Sequence, residues 1–533
     1  MASCGPFRHG SGFLGAPARK RASFLLPLCM LAAHSAGAWG EPAPGSGAAA
    51  WGERRIGASQ TGAPAWGEPR RLMELEWVAE QPERIRDWDL AAQRGLAGVM
   101  RGGFTAFAYC VFKNTLVMYF NGVVIRSHWA FPTPDSIRRN FTQPWKWEDS
   151  DGFKVNHLGH PIQGSVYFSA GRVSGFGFWG SAFFSALGSA MWEALHERQH
   201  ASMNDFLITA PTGLSLGEIL YRLYLQADAA GVPRFLTMLF NPAAGVHRIM
   251  TGWEPPQVQS NLYDLRLYLS AGYARTEYAY GGRAEESIAA SFGAAGARIA
   301  YGDPFAQSTW VPFRSFEFLV SFGSNAYSHN DFRLFSDGFL FAFSPLQSGE
   351  RSLSHGLSLH FDFASIGAFD MYYAVINMYS NALGWSAKYR RIFSPTAGWR
   401  ARLHAAFTFF GATSYWHPIE ETRLLNYGYG ASLRHLSSFE FGRRNRIDVG
   451  NFVYFLWHIP GTADLSRGFV LQQFHDFSLS RLVTRSVSMG AAFSLATERG
   501  RFGEFPSSDK ASWSVRTFVA WNGRSIRAAG GAY

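Results

Sequence analysis

The sequence contains little cysteine, only three residues in a chain of 533. Cys4 and Cys29 stand close to the N-terminus, and Cys110 is the third. If an N-terminal segment is removed on export, Cys110 is the only thiol left, and a single cysteine cannot form an internal disulfide. It also lacks the paired spacing of a zinc site. We therefore expect a fold held together by packing and hydrogen bonds.

Charged residues are also scarce: they make up 17% of the chain, whereas soluble domains have about 25%. Aromatic residues reach 16%, and there are 56 glycines. This composition suits a membrane barrel, in which each strand turns one face to lipid and the other to a polar interior. The net charge of +10 is dispersed along the chain. We expect attraction to anionic lipid head groups and no nucleic-acid partner.

The N-terminus has the features of a secretory signal. Residues 1–22 carry four basic residues and no acidic one, and an apolar run of ten residues begins at Phe24. Small residues follow at Ala36-Gly37-Ala38. The run is too short to span a bilayer, and the order of the three parts is typical of a signal peptide. We expect a signal peptide over 1–38, cleaved after Ala38, and a disordered linker rich in Gly, Ala and Pro over 39–70.

Residues 71–255 favour a mostly helical domain. The amphipathic segment Gly217–Ala230 predicts one helix, and Pro233–Met250 predicts another that breaks near Asn241. Residues 173–192 are uncharged and long enough to span a membrane. Their four glycines and four serines instead favour a buried helix with close neighbours. A helix that spans the inner membrane is the alternative that this stretch leaves open.

Residues 256–533 have a different pattern, in which apolar and polar residues alternate. Leu357, Leu359 and Phe361 share one face of a strand, and Ser358 and His360 share the other. Such alternation predicts strands with lipid outside and water or protein inside. The expected fold is mainly β: a transmembrane antiparallel β-barrel of about 12 strands, preceded by the helical domain. The predicted strands begin near Leu262, Ser287, Phe316, Phe332, Leu353, Tyr372, Ala401, Tyr427, Ile447, Phe474, Val487 and Trp513.

The densest polar cluster lies before the barrel, between residues 145 and 222. His157, His160, Ser165 and Glu193 are the catalytic candidates, since they include the residue types of a nucleophile and a general base for acyl transfer or lipid hydrolysis. The Gly-x-Ser-x-Gly elbow of many such enzymes is missing. Glu193 and His196 have the spacing of helical metal ligands, but the sequence lacks a second Glu-x-x-His. We therefore expect neither a metal nor a cofactor.

A buried polar network is the other interpretation of this cluster. Acidic and basic side chains can pair where helices pack together, which offsets the cost of removing them from water. The residues expected in this network are Asn156, Arg172, Ser189, Trp192, Glu197, Asn204, Asp205, Glu218 and Arg222.

The same stretch resembles a known family. The features that carry the resemblance are Trp145 and Trp147, the Asn156 and His160-Pro161 positions, Arg172, the Trp-Glu pair that ends at Glu193, Asn204-Asp205 and Gly217-Glu218. Over about residues 140–250 the chain resembles a bacterial family known only as a domain of unknown function, number 3943, which is found in predicted outer-membrane proteins. The resemblance implies relatives in the outer membrane and no particular reaction.

These observations predict a protein of the bacterial outer membrane with a structural, pore-like or lipid-contacting role. We expect the helical domain at the periplasmic mouth of the barrel or partly inside its lumen, as a plug. The alternative is an outer-membrane enzyme that modifies lipids through the His157, His160 and Glu193 region. The expected partners are outer-membrane lipids and the barrel-assembly machinery. The second partner is expected because the terminal Tyr533 resembles the aromatic residue on which many outer-membrane proteins end.

Overall fold

The computed structural model describes residues 95–147, 151–256, 258, 261–280, 283–305, 308–324, 329–368, 375–417, 422–459, 468–503 and 506–523. The predicted signal peptide, the predicted linker and Tyr533 lie outside the described residues, and these three interpretations stay predictions.

The first part of the described chain is helical. Local sequence explains several boundaries: Thr133 and Ser136 form a reciprocal capping box, and the Asn241 side chain accepts a hydrogen bond from the Ala244 amide, with Pro242 in the first turn. The helix boundary near Asn241 is therefore the one predicted. The helices are α1 Gly95–Tyr119, α2 Pro134–Thr142, α3 His160–Val173, α4 Phe178–Met191, α5 Met203–Ala229, α6 Arg234–Phe240 and α7 Pro242–Thr251, with π-helical turns at Phe120–Ile125, Val155–Gly159 and Trp192–His196.

The uncharged stretch forms α4, which packs against α3 and α5 through small residues. The Ser185 hydroxyl donates to the carbonyl oxygens of Gly164 on α3 (3.3 Å) and Ala210 on α5 (3.1 Å). A Cβ on Gly164 would collide with the carbonyl oxygen of Thr209, so only glycine permits this approach of α3 to α5. Close contacts through glycine and serine are the packing mode that the composition of this stretch favours.

Helix α1 was not identified from the sequence. Together with the π-helical turn that follows it, Gly95–Ile125 is a continuous 31-residue helix that is long and apolar enough to cross a membrane, the one such helix among the described residues. Only 17% of its most apolar window is buried. Its buried positions, Gly102, Ala106, Cys110 and Asn114, recur every fourth residue and form one narrow stripe.

The second part of the described chain is a closed barrel of twelve antiparallel strands. Each strand pairs with its neighbours in sequence, and β12 pairs with β1 to close the ring. Every observed start lies within six residues of the predicted one, and the predicted fold class is confirmed. The strands are β1 Leu262–Tyr280, β2 Arg283–Tyr301, β3 Phe316–Ser324, β4 His329–Gln347, β5 Arg351–Ala368, β6 Ile376–Ser394, β7 Ala397–His417, β8 Thr422–Phe441, β9 Asn445–His458, β10 Gly468–Leu482, β11 Val487–Phe502 and β12 Ser508–Gly523.

Contacts between distant strands identify the inner face of the barrel. Asp362 on β5 accepts hydrogen bonds from Arg434 on β8 (3.0 Å) and from Tyr454 on β9 (2.9 Å). In the ring, β5 is three strands from β8 and four from β9, so the three side chains meet inside the lumen. Because side chains alternate along a strand, Phe361 and Phe363, which flank Asp362, point outwards.

The helices pack against this outward face. Phe361 and Phe363 are fully buried in a cluster that also contains Phe153, Ile208 and Leu216 of the helical part. The other buried barrel residues of this cluster lie between Tyr301 on β2 and Tyr427 on β8. The prediction that the helical domain is a plug in the lumen or a cap at its mouth is therefore wrong. Alternation alone predicted an apolar outer face, and it could not show that helices, instead of lipid, cover part of it.

Barrel closure can be tested through a glycine at a close approach of two strands. A Cβ on Gly430 of β8 would collide with the carbonyl oxygen of Phe455 on β9, whereas the nearest atom to a Cβ on Gly293 of β2 is 3.9 Å away. We expect Gly430→Val to abolish the change in gel mobility on boiling that marks a folded barrel, and Gly293→Val to retain it. A Gly430→Val protein that still shows the full mobility change would contradict this strand pairing.

Candidate functional site

Three groups of polar side chains lie between the helices or between the helices and the barrel wall. The first, called the carboxylate cluster, contains His160, Glu193, Ser202, Asp205 and Thr209. The Ser202 hydroxyl donates to Asp205 (2.8 Å) and to Glu193 (3.3 Å), and the Ser202 amide also donates to Glu193 (2.9 Å). His160 lies 3.6 Å from Asp205 through Nε2 and 3.2 Å from Thr209 through Nδ1.

The second group, called the tyrosine cluster, joins the helical part to the barrel. Asn156 and Asn204 each donate to the Tyr427 hydroxyl, at 3.3 and 3.0 Å. The His157 ring stacks on Phe153 and contacts the rings of Tyr379 and Tyr427, and its Nδ1 donates to the Phe153 carbonyl oxygen (2.8 Å). Tyr427 and Tyr379 lie on the outward face of β8 and β6, so the polar contacts fix where the helices sit on the wall.

The third group, called the arginine cluster, is a fully buried glutamate between two arginines. The carboxylate of Glu218 on α5 forms ion pairs with Arg172 (Nε to Oε2, 3.1 Å) and with Arg222 (Nε to Oε1, 2.7 Å). Arg222 also donates to the carbonyl oxygen of Pro312 (3.1 Å), in the connection between β2 and β3. The dipole of the Pro312 carbonyl thus partly compensates the positive charge of Arg222. This contact also joins the helical part to the barrel part.

The remaining predicted residues lie elsewhere in the helical part. The Ser165 hydroxyl donates to the Ile162 carbonyl oxygen of its own helix (2.7 Å), and Ser189, Trp192 and Glu197 are buried. His196 Nδ1 donates to the Met191 carbonyl oxygen (3.0 Å). Within the described residues, three or more His, Cys, Asp or Glu side chains do not come together as they would in a metal site.

The four catalytic candidates are therefore not assembled around one reacting position. His157 is enclosed by aromatic rings, Ser165 bonds to its own helix, and Glu193 accepts hydrogen bonds from Ser202. His160 lies between Thr209 and Asp205 in an order that matches a hydroxyl–imidazole–carboxylate triad, but all three are buried. Thr209 is 1% exposed, and the hydrogen-bond partner of its hydroxyl is the His160 ring.

Sequence reasoning missed the barrel partners of these clusters and a half-buried lysine on α1. Lys113 donates to the Tyr167 hydroxyl (2.9 Å) and lies 5.3 Å from the ring centroid of Trp192, and Asn114 donates to the Gly188 carbonyl oxygen (3.1 Å). A lysine followed by an asparagine in an apolar segment is the signal that could have identified this group, because polar residues in such segments usually have partners inside the protein.

Comparison with known families confirms the resemblance in the helical part. Residues 144–243 match the family model described as Domain of unknown function (DUF3943). The matched segment contains the helical residues of all three clusters and ends before β1. No curated protein sequence matches the chain.

Several solved barrels are similar to this chain at low identity. The NanC porin shares 8% identity over 48% of this chain and 98% of its own, with a TM-score of 0.24. A Pseudomonas aeruginosa FadL homologue shares 8% identity over 49% of this chain and 90% of its own, with a TM-score of 0.22. The translocator domain of the autotransporter NalP from Neisseria meningitidis shares 9% identity over 56% of this chain and 98% of its own, with a TM-score of 0.21. Similarities at this level add nothing to what the strand topology already shows.

The arginine cluster predicts a large effect from one substitution. Glu218→Gln leaves the charges of Arg172 and Arg222 without their carboxylate, and removing one partner of a buried ion pair costs about 3–5 kcal/mol. We expect a lower urea midpoint for unfolding of the purified protein. Glu254→Gln is the matched control, because Glu254 is largely exposed and such pairs contribute about 0–1 kcal/mol. Equal midpoints for both variants would contradict the role given to Glu218.

Proposed function

We propose that the protein is a closed, lipid-contacting barrel scaffold of the bacterial outer membrane, and not an open pore. The observation that carries the proposal is the set of ion pairs and hydrogen bonds that cross the lumen between strands that are not neighbours. A conducting pore needs a continuous water path between its two ends. In this barrel, side chains meet across that path at several levels.

The first level lies near the short turns that connect β8 to β9 and β10 to β11. Asp448 on β9 binds Arg266 on β1 (3.1 Å) and approaches Arg298 on β2 (3.8 Å). Both contacts run across the ring, since β1 and β9 are four strands apart. They close the lumen at this end with charges of opposite sign.

The middle and the far end of the lumen are crossed in the same way. Arg434 and Tyr454 meet Asp362 at mid-height, and the rings of Phe335 on β4 and Phe452 on β9 stack at 4.8 Å between their centroids. Towards the far end, Lys510 on β12 donates to the carbonyl oxygens of Val375 (3.0 Å) and Ser414 (3.2 Å) on the opposite wall. A small solute would have to break all three levels to pass.

The outer surface supports a position in a membrane. Exposed apolar side chains lie on the outward face of the wall that the helices leave free, for example Leu269 on β1, Met489 on β11 and Val519 on β12. A closed barrel with an apolar outer band is one of the two architectures that satisfy every backbone group inside lipid. With the predicted signal peptide, this favours the outer membrane, with its lipids and the barrel-assembly machinery as partners.

The enzyme alternative gains no support from the site. Of the candidate residues, His157 contacts the barrel residues Tyr379 and Tyr427, and His160, Ser165 and Glu193 form contacts within the helical part. We assign these residues a structural role in the scaffold.

Planar-bilayer recording tests the closed lumen. We expect the purified protein to leave bilayer conductance at the background level, and the combined variant Arg266→Ala, Arg434→Ala, Tyr454→Ala, Lys510→Ala to raise it, because these four side chains cross the lumen at its two ends and at mid-height. Arg501→Ala is the control, since Arg501 pairs with Asp509 on the outer side of the wall, where the two side chains are 43% and 37% exposed. A steady open conductance of the unaltered protein would contradict the proposal.

A further inference from the structure

We infer that the helical part lies in the lipid bilayer beside the barrel, with the exposed apolar side chains of α1 and α4 against acyl chains and the charged surface of α2 in water. The inference rests on the proposed function, because it takes the barrel wall to be in a membrane. It adds a second lipid-contacting surface, made of helices, and assigns acyl chains as the partner that covers it.

The first argument is where the helices dock. On β6, the buried Tyr379 shares the outward face with Leu383 and Trp385, which are exposed a few residues further along. On β7, the buried Phe410 stands close to the exposed Phe407. The helices therefore cover part of the same apolar wall that lipid covers elsewhere. A part docked within the lipid band has lipid as its immediate neighbour.

The second argument is the composition of the surface that the helical part presents. Phe104 is 74% exposed on α1, and Trp179 is 63% exposed on α4. Large exposed apolar patches on a soluble protein mark an interaction surface, and this one belongs to a helical part that packs against the outer wall of the barrel. The exposed large apolar residues of the helices include Leu96, Met100, Phe107, Phe112, Leu116, Phe183, Phe235, Ile249 and Met250.

The third argument is that charged side chains of α3 and α5 point into the protein. Arg172, Asp205, Glu218 and Arg222 are all buried, in contact with other helices or with the barrel. A soluble domain shows the opposite arrangement, with charged residues on the surface and apolar residues inside. On α3, α4 and residues 203–222 of α5, the ionisable residues thus face the protein interior and apolar side chains such as Trp179 face outwards, which is the pattern of a membrane-embedded part. Helix α2, in contrast, carries exposed charges at Asp135 and Arg138.

Helix length agrees with a bilayer crossing. A 31-residue helix is about 46 Å long at 1.5 Å per residue, and the hydrocarbon core is about 30 Å thick. Gly95–Ile125 can therefore cross the core even when tilted. Its apolar side chains would face lipid, while the stripe of Gly102, Ala106, Cys110 and Asn114 faces α3 and α4.

The polar residues of α1 explain how such a helix can still be exported. A charged residue at the centre of a lone helix costs about 2.5–3.5 kcal/mol on insertion, so Lys113 together with Asn114 disfavours release of α1 into the inner membrane. In the assembled protein, Lys113 contacts Tyr167 and Trp192, and Asn114 bonds to Gly188. The helix becomes compatible with lipid only after it packs against α3 and α4.

Spin-label accessibility in lipid tests the inference. Single cysteines are placed at Phe104 and Phe183 of the full chain with the native cysteines replaced, and each carries a nitroxide label in reconstituted vesicles of phosphatidylethanolamine and phosphatidylglycerol. Met489→Cys on the barrel band is the lipid-facing control, and Asp135→Cys, exposed on α2, is the water-facing control. Relaxation by oxygen, which concentrates in lipid, is compared with relaxation by a water-soluble nickel chelate.

We expect the labels at Phe104 and Phe183 to match the label at Met489, with oxygen more effective than the nickel chelate. Labels that match Asp135 would overturn the inference, because the helices would then face water. Labels protected from both reagents would also overturn it, because another protein would then cover the surface. If the label at Met489 itself faces water, the membrane location of the barrel fails, which separates that failure from a failure of this inference.

Discussion

Closure of the barrel is the constraint on which the other features depend. When twelve strands form a ring, alternate side chains must point into a confined lumen, and the rest must point outwards. Inside, charges are far from bulk water and need partners, which they find on the opposite wall, as Asp362 does with Arg434 and Tyr454. Outside, every apolar face needs an apolar cover: the helices of this protein cover one flank, and on the other flank apolar side chains such as Leu269 and Met489 remain exposed.

The regular elements could be predicted because they repeat with a simple period. The alternation around Leu357 to Phe361 fixed both the strand and its outward face, and the break at Asn241 fixed a helix boundary. Helix α1 could not be predicted in this way, since Arg101, two adjacent glycines and Lys113 interrupt its apolar pattern. Because its buried stripe is narrow, most of the helix shows no alternation of apolar and polar faces in the sequence.

The polar residues of the site could be selected from sequence, but their partners could not. Asn204 and Tyr427 stand more than 200 residues apart, and their contact exists only because α5 lies across the outer wall. The same alternation on β6 and β8 is compatible with a cover of lipid or of helices, and sequence period does not distinguish the two. The clusters show why the helices are held there: Tyr427 and the Pro312 carbonyl oxygen offer polar partners on an otherwise apolar surface.

The position of the helices on one outer flank of the barrel is the central claim, and a pair of distance measurements tests it directly. Spin labels at Trp179 on α4 and Trp385 on β6 form one pair, and labels at Trp179 and Met489 on β11 form the other; all three positions are exposed. Strands β6 and β11 lie on nearly opposite sides of the ring. Our account predicts a clearly shorter distance from Trp179 to Trp385. Equal distances would place the helices on the barrel axis, at the mouth or in the lumen, and would contradict it.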